Sequence, residues 1–127
     1  NGLEGPLPSE FGSLTRMNIL FVSNNKLGGK IPSELGSAVG LVELHLDSNR
    51  FTGSLPTELG QLSILSTFYF GTNRLTGFIP DEVCVLRESG GLQFFGELLL
   101  DCSRNMYGGL VCPYESCCRE CPALVGG

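Results

Sequence analysis

A motif of apolar residues and one asparagine occurs three times in this 127-residue chain, at a constant spacing of 24 residues. The motif is L-x-x-L-x-L-x-x-N in its second copy, at 41–49, and the other copies stand at 17–25 and 65–73. A fixed period of this length marks a repeat architecture, in which each unit buries its apolar face against its neighbours. The period therefore constrains the fold more than any local pattern does.

Each unit combines a strand with a short helical turn. The alternation of apolar and polar residues around Leu44 predicts a strand with one buried face, and stacked copies form a parallel sheet. The asparagine that ends each motif is expected to satisfy backbone groups of adjacent turns. Gly29 permits positive φ, Pro32 fixes φ, and Ser33 is predicted to cap a helical turn that ends at Gly36.

The chain is predicted to contain four repeats and a terminal cap. The repeats span 3–26, 27–50, 51–74 and 75–101, and the cap spans 102–127. In the fourth repeat, 87–91 has the composition of an insertion. The strand motif is expected to resume as Phe95-x-x-Leu98-x-Leu100, which places Leu99 beside Tyr69.

The segment Leu75-Thr-Gly-Phe-Ile-Pro80, together with the period, resembles the plant-type leucine-rich repeat family over residues 3 to about 101. The cysteine-rich tail resembles, less specifically, the C-terminal caps of secreted microalgal leucine-rich-repeat proteins. The resemblance implies an α/β fold, a right-handed solenoid with a concave parallel β-sheet and short 3-10 or α segments on the convex side. It also implies a second short strand in each repeat. The function it implies is recognition of proteins or peptides, as in receptor ectodomains or secreted inhibitors, outside the cell or at its surface.

The expected ligand site lies on the strand positions that face solvent. The central column combines apolar and aromatic side chains, and flanking columns add carboxylates. An exposed apolar column favours a contact site, and the acidic surroundings favour a partner with Lys or Arg; a merely solvated face is the alternative. The predicted ligand-binding residues are Phe21, Glu43, His45, Asp47, Tyr69 and Leu99.

Two further columns carry charge. Basic residues follow each asparagine, and glutamates recur on the predicted convex side. Both are expected to keep the repeats soluble, and a polyanion-binding rim is the alternative for the basic one. The columns are Lys26, Arg50, Arg74 and Arg104, and Glu10, Glu34, Glu58 and Glu82.

Composition excludes several partners. The net charge of −5 argues against nucleic acid, and no apolar run has the length of a membrane span. The chain starts inside a repeat without a signal peptide, so we expect a fragment or a trimmed mature form. Self-association through the apolar side of the first repeat, at Leu3, Leu7, Phe11 and Leu14, is expected.

Catalytic chemistry is not predicted. His45 is the single histidine, between Glu43 and Asp47, and the sequence offers no second histidine or nucleophile to complete a constellation. We therefore predict no enzyme activity and no cofactor.

Cysteines occur only in the last third of the chain and indicate a disulfide-stapled cap in an oxidising compartment. Zinc bound by the last four is the alternative. The sequence leaves the pairing open, although Cys84 and Cys102 are the best candidates to tie the cap to the repeats. The six are Cys84, Cys102, Cys112, Cys117, Cys118 and Cys121.

Two functional classes remain. The first is a recognition module for a protein or peptide, with a cell-wall polysaccharide as a further partner. The second is a structural solenoid that binds ice or a matrix, which requires a regular column of small hydroxyl residues. Thr52 and Thr76 occupy the same position in successive repeats, but Gly28 and Glu4 occupy that position in the two repeats before them. The column of hydroxyl residues is therefore irregular, which favours recognition.

Overall fold

The computed structural model describes residues 2–88, 91–96, 106–107 and 109–111. A four-stranded parallel sheet in the order β2-β4-β6-β8 forms one side of the stack of repeats. The first three strands pair residues 24 positions apart, so Leu20, Leu44 and Phe68 stand side by side. The period found in the sequence is therefore the spacing of this sheet. The strands are β2 (Ile19–Phe21), β4 (Glu43–His45), β6 (Thr67–Tyr69) and β8 (Phe94–Gly96).

A second, six-stranded sheet has the order β1-β3-β5-β7-β10-β9, and only its β9–β10 pair is antiparallel. Its first three pairings join residues 22 positions apart, which staggers each strand by two residues against the period. The predicted second strand of each repeat is thus present. The strands are β1 (Glu4–Pro6), β3 (Lys26–Lys30), β5 (Arg50–Gly53), β7 (Arg74–Phe78), β9 (Met106–Tyr107) and β10 (Gly109–Val111).

Short helical segments connect the two sheets. Three are 3-10 helices of five residues, η1 (Ser9–Ser13), η2 (Ser33–Ser37) and η3 (Thr57–Gln61). The fourth, α1 (Asp81–Glu88), is an α-helix of eight residues. The parallel sheets and 3-10 segments confirm the predicted α/β repeat solenoid.

The predicted helix cap at Ser33 is wrong. Pro32 occupies the cap position, with φ −69° and ψ 134°, and no side chain caps the helix. The ring of Pro32 presets the backbone for the turn, so the conformation does not depend on a serine hydroxyl. Ser33 Oγ instead lies 3.5 Å from Oε1 of Glu34.

The core fills the space between the sheets and the helical segments. Each fully buried leucine contributes about 1.5–3 kcal/mol of transfer free energy. Leucines at the motif positions are buried as predicted, and phenylalanine replaces two of the three in the third copy of the motif, at Phe68 and Phe70. The largest buried side chains include Leu35, Leu41, Leu44, Leu46, Phe51, Leu55, Leu59, Leu62, Leu65, Phe68 and Phe70.

The asparagine column links successive repeats, as predicted. Oδ1 of Asn49 accepts a hydrogen bond of 3.1 Å from the backbone N–H of Leu27. Its Nδ2 donates to the carbonyls of Val22, Leu46 and Asp47 at 2.9, 3.2 and 3.2 Å. The side chain therefore satisfies buried backbone groups of two repeats.

The fourth repeat differs from its prediction in register. Gly96, not Leu99, pairs with Tyr69, and Phe95 pairs with Phe68. The fully buried Leu92 stands three residues before Phe95, so these two residues supply the apolar spacing of the motif. The predicted position of Leu99 beside Tyr69 is therefore wrong; Leu99 itself lies outside the described residues.

The predicted cap falls outside the described residues for most of its length, as do five of the six cysteines. Cys84 is fully buried in α1 and disulfide-bonded. In the described part of the chain, no helix has the length and apolar character required to cross a membrane.

The first repeat exposes part of its apolar surface. Leu3 and Leu14 are exposed, whereas Phe11 is half-buried. Leu7, predicted to share this exposed surface, is instead buried in the core.

Candidate functional site

An aromatic row crosses the four-stranded sheet and consists of Phe21, His45 and Tyr69, one residue each from β2, β4 and β6. The backbone pairing sets these residues side by side. The rings of Phe21 and His45 are stacked, with centroids 4.5 Å apart, and Tyr69 meets His45 in an edge-on arrangement at 5.3 Å. The spacing of adjacent strands, roughly 4.8 Å, matches the distance at which aromatic rings pack.

His45 is less accessible than its strand position predicts. It is 9% exposed, whereas Phe21 is 65% exposed. Its neighbours in the aromatic row cover its two sides, so the ring is shielded although it stands on the outer face. Phe21 and the half-buried Tyr69 are thus the row members that offer more surface to a partner.

Two carboxylates flank the aromatic row, and each has one polar partner. Nε2 of His45 donates to Oε1 of Glu43 at 2.9 Å, since an ionised carboxylate only accepts hydrogen bonds. Oγ of Ser23 donates to Oδ1 of Asp47 at 2.6 Å. Each carboxylate keeps free lone pairs, and both residues are half-buried.

The electrostatic effect of this arrangement is visible at Tyr69. Burial raises the pKa of its hydroxyl, and the charges of Asp47 and Glu43 raise it further. The negative charge of both carboxylates therefore reaches the aromatic row. Such surroundings disfavour a second anion and favour a cation over the rings.

The flanking columns are acidic at fewer positions than predicted. On one side Glu43 stands between Ile19 and Thr67. On the other side Asp47 shares its column with Ser23 and Gly71, both buried. Phe94 pairs with Thr67, so the expected position of Glu97 at the end of the first column is wrong. Glu97 itself lies outside the described residues, as does Asp101, which was expected to extend the second column. Among the described residues of the two columns, the carboxylates both belong to the second repeat.

Five of the six predicted site residues belong to this surface, which we call the aromatic-acidic site: Phe21, Glu43, His45, Asp47 and Tyr69. Ser23 was not among the predicted site residues, although it holds Asp47. Its distance of 24 residues from Asp47 is the signal that could have identified the pair. Within the described ranges, no group of three or more metal-binding side chains is present.

Comparison with known proteins supports the repeat assignment. The family model for the Leucine Rich Repeat matches residues 16–38 and 40–62. No curated protein sequence matches the chain significantly. The matched segments contain all residues of the aromatic-acidic site except Tyr69.

Solved structures of plant proteins share the fold. The BIR3–SERK2 complex from Arabidopsis thaliana matches with 34% identity and a TM-score of 0.65, over 76% of this chain and 51% of that one. The Arabidopsis receptor kinase HAESA, in complex with the peptide hormone IDA and the co-receptor SERK1, matches with 35% identity and a TM-score of 0.58, over 61% and 13%.

A plant ice-binding protein matches with 38% identity and a TM-score of 0.62, over 65% of this chain and 27% of that one. The chain thus spans about half or less of each of these structures. It folds as a leucine-rich-repeat solenoid whose structural neighbours include plant receptor ectodomains.

Proposed function

We propose that this chain is an extracellular or cell-surface recognition module whose aromatic-acidic site binds a protein or peptide that presents a basic side chain. The aromatic row with its two flanking carboxylates is the observation that carries the proposal. The similarity to receptor ectodomains, one of them in complex with a peptide hormone, supports it.

The geometry favours a lysine or arginine of the partner over the aromatic row. A cation above an aromatic face gains about 0.5–2 kcal/mol, depending on how far it is desolvated. Glu43 and Asp47 add acceptors on either side for its N–H groups. An arginine can stack on Phe21 while its N–H donors reach a carboxylate.

The energy of binding is expected to concentrate on the aromatic residues. Tyr69→Ala should weaken binding by about 2 kcal/mol, since large aromatic residues dominate interface energetics. Ser66→Ala and Thr72→Ala should have small effects, and Glu34→Ala, on the helical side of the repeat, should have none. Equal losses in Glu34→Ala and Tyr69→Ala would show that the ligand binds elsewhere.

A displayed library of random peptides tests the proposal and does not require the natural ligand. Wild-type protein should enrich peptides with Lys or Arg, and Phe21→Ala should not retain them. Phe78→Ala is a matched control, because both phenylalanines are 65% exposed but Phe78 lies on the six-stranded sheet.

Two outcomes contradict the proposal. If the selected peptides lacked basic residues, Glu43 and Asp47 would not be binding a cation of the ligand. Peptides that bind Phe21→Ala as tightly as wild type, but not Phe78→Ala, would move the site to the other sheet.

Ice or matrix binding is the second candidate function, because the chain is 38% identical to a plant ice-binding protein over the matched region. The outward residues of β5 and β7 include arginine and phenylalanine as well as threonine, and ice binding favours a uniform column. Thermal hysteresis comparable with that of ice-binding proteins, unaffected by Phe21→Ala, would support this candidate over recognition.

A disulfide-stapled cap over residues 102–127 belongs to the proposal, as does an oxidising compartment. The burial of Cys84 and its disulfide support it. Mass spectrometry of unreduced peptides should find Cys84 joined to one of the cap cysteines. Six free thiols, or one bound zinc ion per chain, in protein from its native compartment would contradict the cap.

A further inference from the structure

The outward face of the six-stranded sheet is basic, in contrast to the aromatic-acidic site. Four of the eight Lys and Arg residues of the chain lie on three of its strands, and all four are exposed. The second residue of each of these strands is buried in the core, namely Leu27, Phe51 and Leu75. The neighbours of those residues in each strand therefore face outward. The four cations, which we call the basic face, are Lys26, Lys30, Arg50 and Arg74.

The stagger of the sheet brings Lys30, which lies outside the column of one cation per repeat, into line with Arg74. Lys30 pairs with Thr52, and Thr52 pairs with Arg74, so the three form one row across adjacent strands. Two strand spacings, roughly 10 Å, separate the Cα atoms of Lys30 and Arg74. Arg50 lies two residues before Thr52 on the central strand. The sequence column of one cation per repeat did not include Lys30.

The cations of the basic face have no internal counter-ions in the described part of the chain. The contact of this kind found there, between His45 and Glu43, lies on the other sheet. Glu4 is the Cα partner of Lys26 on β1, but no salt bridge joins the two side chains. Four exposed cations without salt bridges, in a chain of net charge −5, leave the basic face available for an external anion.

A groove of ≈ 580 Å³ adjoins the basic face and shares Lys30 with it. Its lining offers the hydroxyl groups of Ser33, Ser54 and Thr76, two proline rings, and one residue of each charge, Lys30 and Glu58. Hydroxyl groups donate and accept hydrogen bonds, as sugar hydroxyls do, and a proline ring gives an apolar contact for a sugar ring. Phe78, which follows Thr76 on the same outward side of β7, is exposed as well.

We propose that the basic face and this groove bind a linear acidic polysaccharide, with its carboxylates on Lys30, Arg50 and Arg74. The row of cations suits a ligand with regularly repeated charges, and the hydroxyl-lined groove suits sugars. This site lies on a different sheet from the aromatic-acidic site, so the two can act independently.

Affinity electrophoresis and titration calorimetry with polygalacturonate test this proposal. Fully methyl-esterified polygalacturonate is the matched neutral probe, since it has the same sugar chain without the carboxylates. Wild-type protein should bind only the charged form, and binding should weaken as sodium chloride is added. Arg74→Gln and Lys30→Gln should each weaken binding by about tenfold, because each removes a charge-assisted hydrogen bond.

Arg16→Gln is the matched control, because Arg16 is also exposed but lies outside the six-stranded sheet. It should bind polygalacturonate as wild type does, and so should Tyr69→Ala. Equal weakening in Arg16→Gln and Arg74→Gln would overturn the proposal in favour of a non-specific charge effect. Binding of both polysaccharide forms, or of neither, would overturn it too. Preferential binding of poly-glutamate over polygalacturonate would replace the polysaccharide with an acidic peptide.

Discussion

Removal of the Asn49 side chain should destabilise the solenoid through one particular backbone group. In Asn49→Ala the N–H of buried Leu27 loses its acceptor, which is Oδ1 of Asn49. A buried donor without a partner costs about 1–3 kcal/mol. This group is expected to account for most of the effect.

The carbonyls that Asn49 contacts each keep another donor. The carbonyl of Val22 also accepts from Asn25, and that of Leu46 also accepts from Asn73. The carbonyl of Asp47 accepts from the backbone N–H of Asn24. Loss of their bonds to Asn49 should therefore add only a few tenths of a kcal/mol each. The total expected for Asn49→Ala is about 3 kcal/mol.

Asn25→Ala is the natural comparison. Oδ1 of Asn25 accepts a hydrogen bond from the backbone N–H of Leu3, which is exposed, unlike the buried Leu27. Water can replace that bond, so the cost should be about 1 kcal/mol. Urea unfolding followed by circular dichroism measures both variants, with the slope checked for a change in cooperativity. Equal losses for the two asparagines, or a loss below about 1 kcal/mol for Asn49→Ala, would refute the reasoning.

Two further predictions concern packing and pH. Gly36→Ala should lower the free energy of unfolding in urea by about 2 kcal/mol or more, because an added Cβ would overlap the backbone carbonyl of Glu58 in the next repeat. Gly28→Ala should cost little, since its added Cβ would lie 3.6 Å from the nearest atom. A larger loss in Gly28→Ala than in Gly36→Ala would contradict this explanation. The raised pKa of Tyr69 favours its neutral form, so the stability it contributes should be complete below pH 10.0, its ordinary pKa, and should be lost as pH rises through the folded-state pKa. Asp47→Asn should lower the pKa of Tyr69 without restoring its ordinary value, since burial is the larger cause of the shift. The absorbance of the phenolate measures this pKa, with Tyr69→Phe as the correction for the other tyrosines. An unchanged pKa would show that the charge of Asp47 does not act on Tyr69.

The fold was predictable because one period determines many contacts at once. Leu44 and Asn49 have equivalents 24 residues away, and a strand register with any other offset would break both columns. The fourth repeat has no such redundancy. Its apolar residues fit two registers three positions apart, and the burial of Leu92 selects between them.

The site was predictable in part, for the same reason. Alternation along the strands identified Phe21 and Tyr69 as outward residues, but it could not show that two rings shield His45. The basic face depends on the stagger of two residues between strands of the second sheet. No period in the sequence reveals that stagger, because the sequence repeats every 24 residues whereas the backbone of this sheet pairs residues 22 positions apart.

We predict that the ligand binds at the aromatic-acidic site on the four-stranded sheet. Nuclear magnetic resonance of the aromatic side chains tests it most directly, with a Lys- or Arg-containing peptide from the library selection as the probe. We expect the ring signals of Phe21, His45 and Tyr69 to shift together as the peptide is added, while those of Phe78 stay fixed. Saturable shifts at Phe78, with the three rings of the aromatic row unchanged, would contradict the claim.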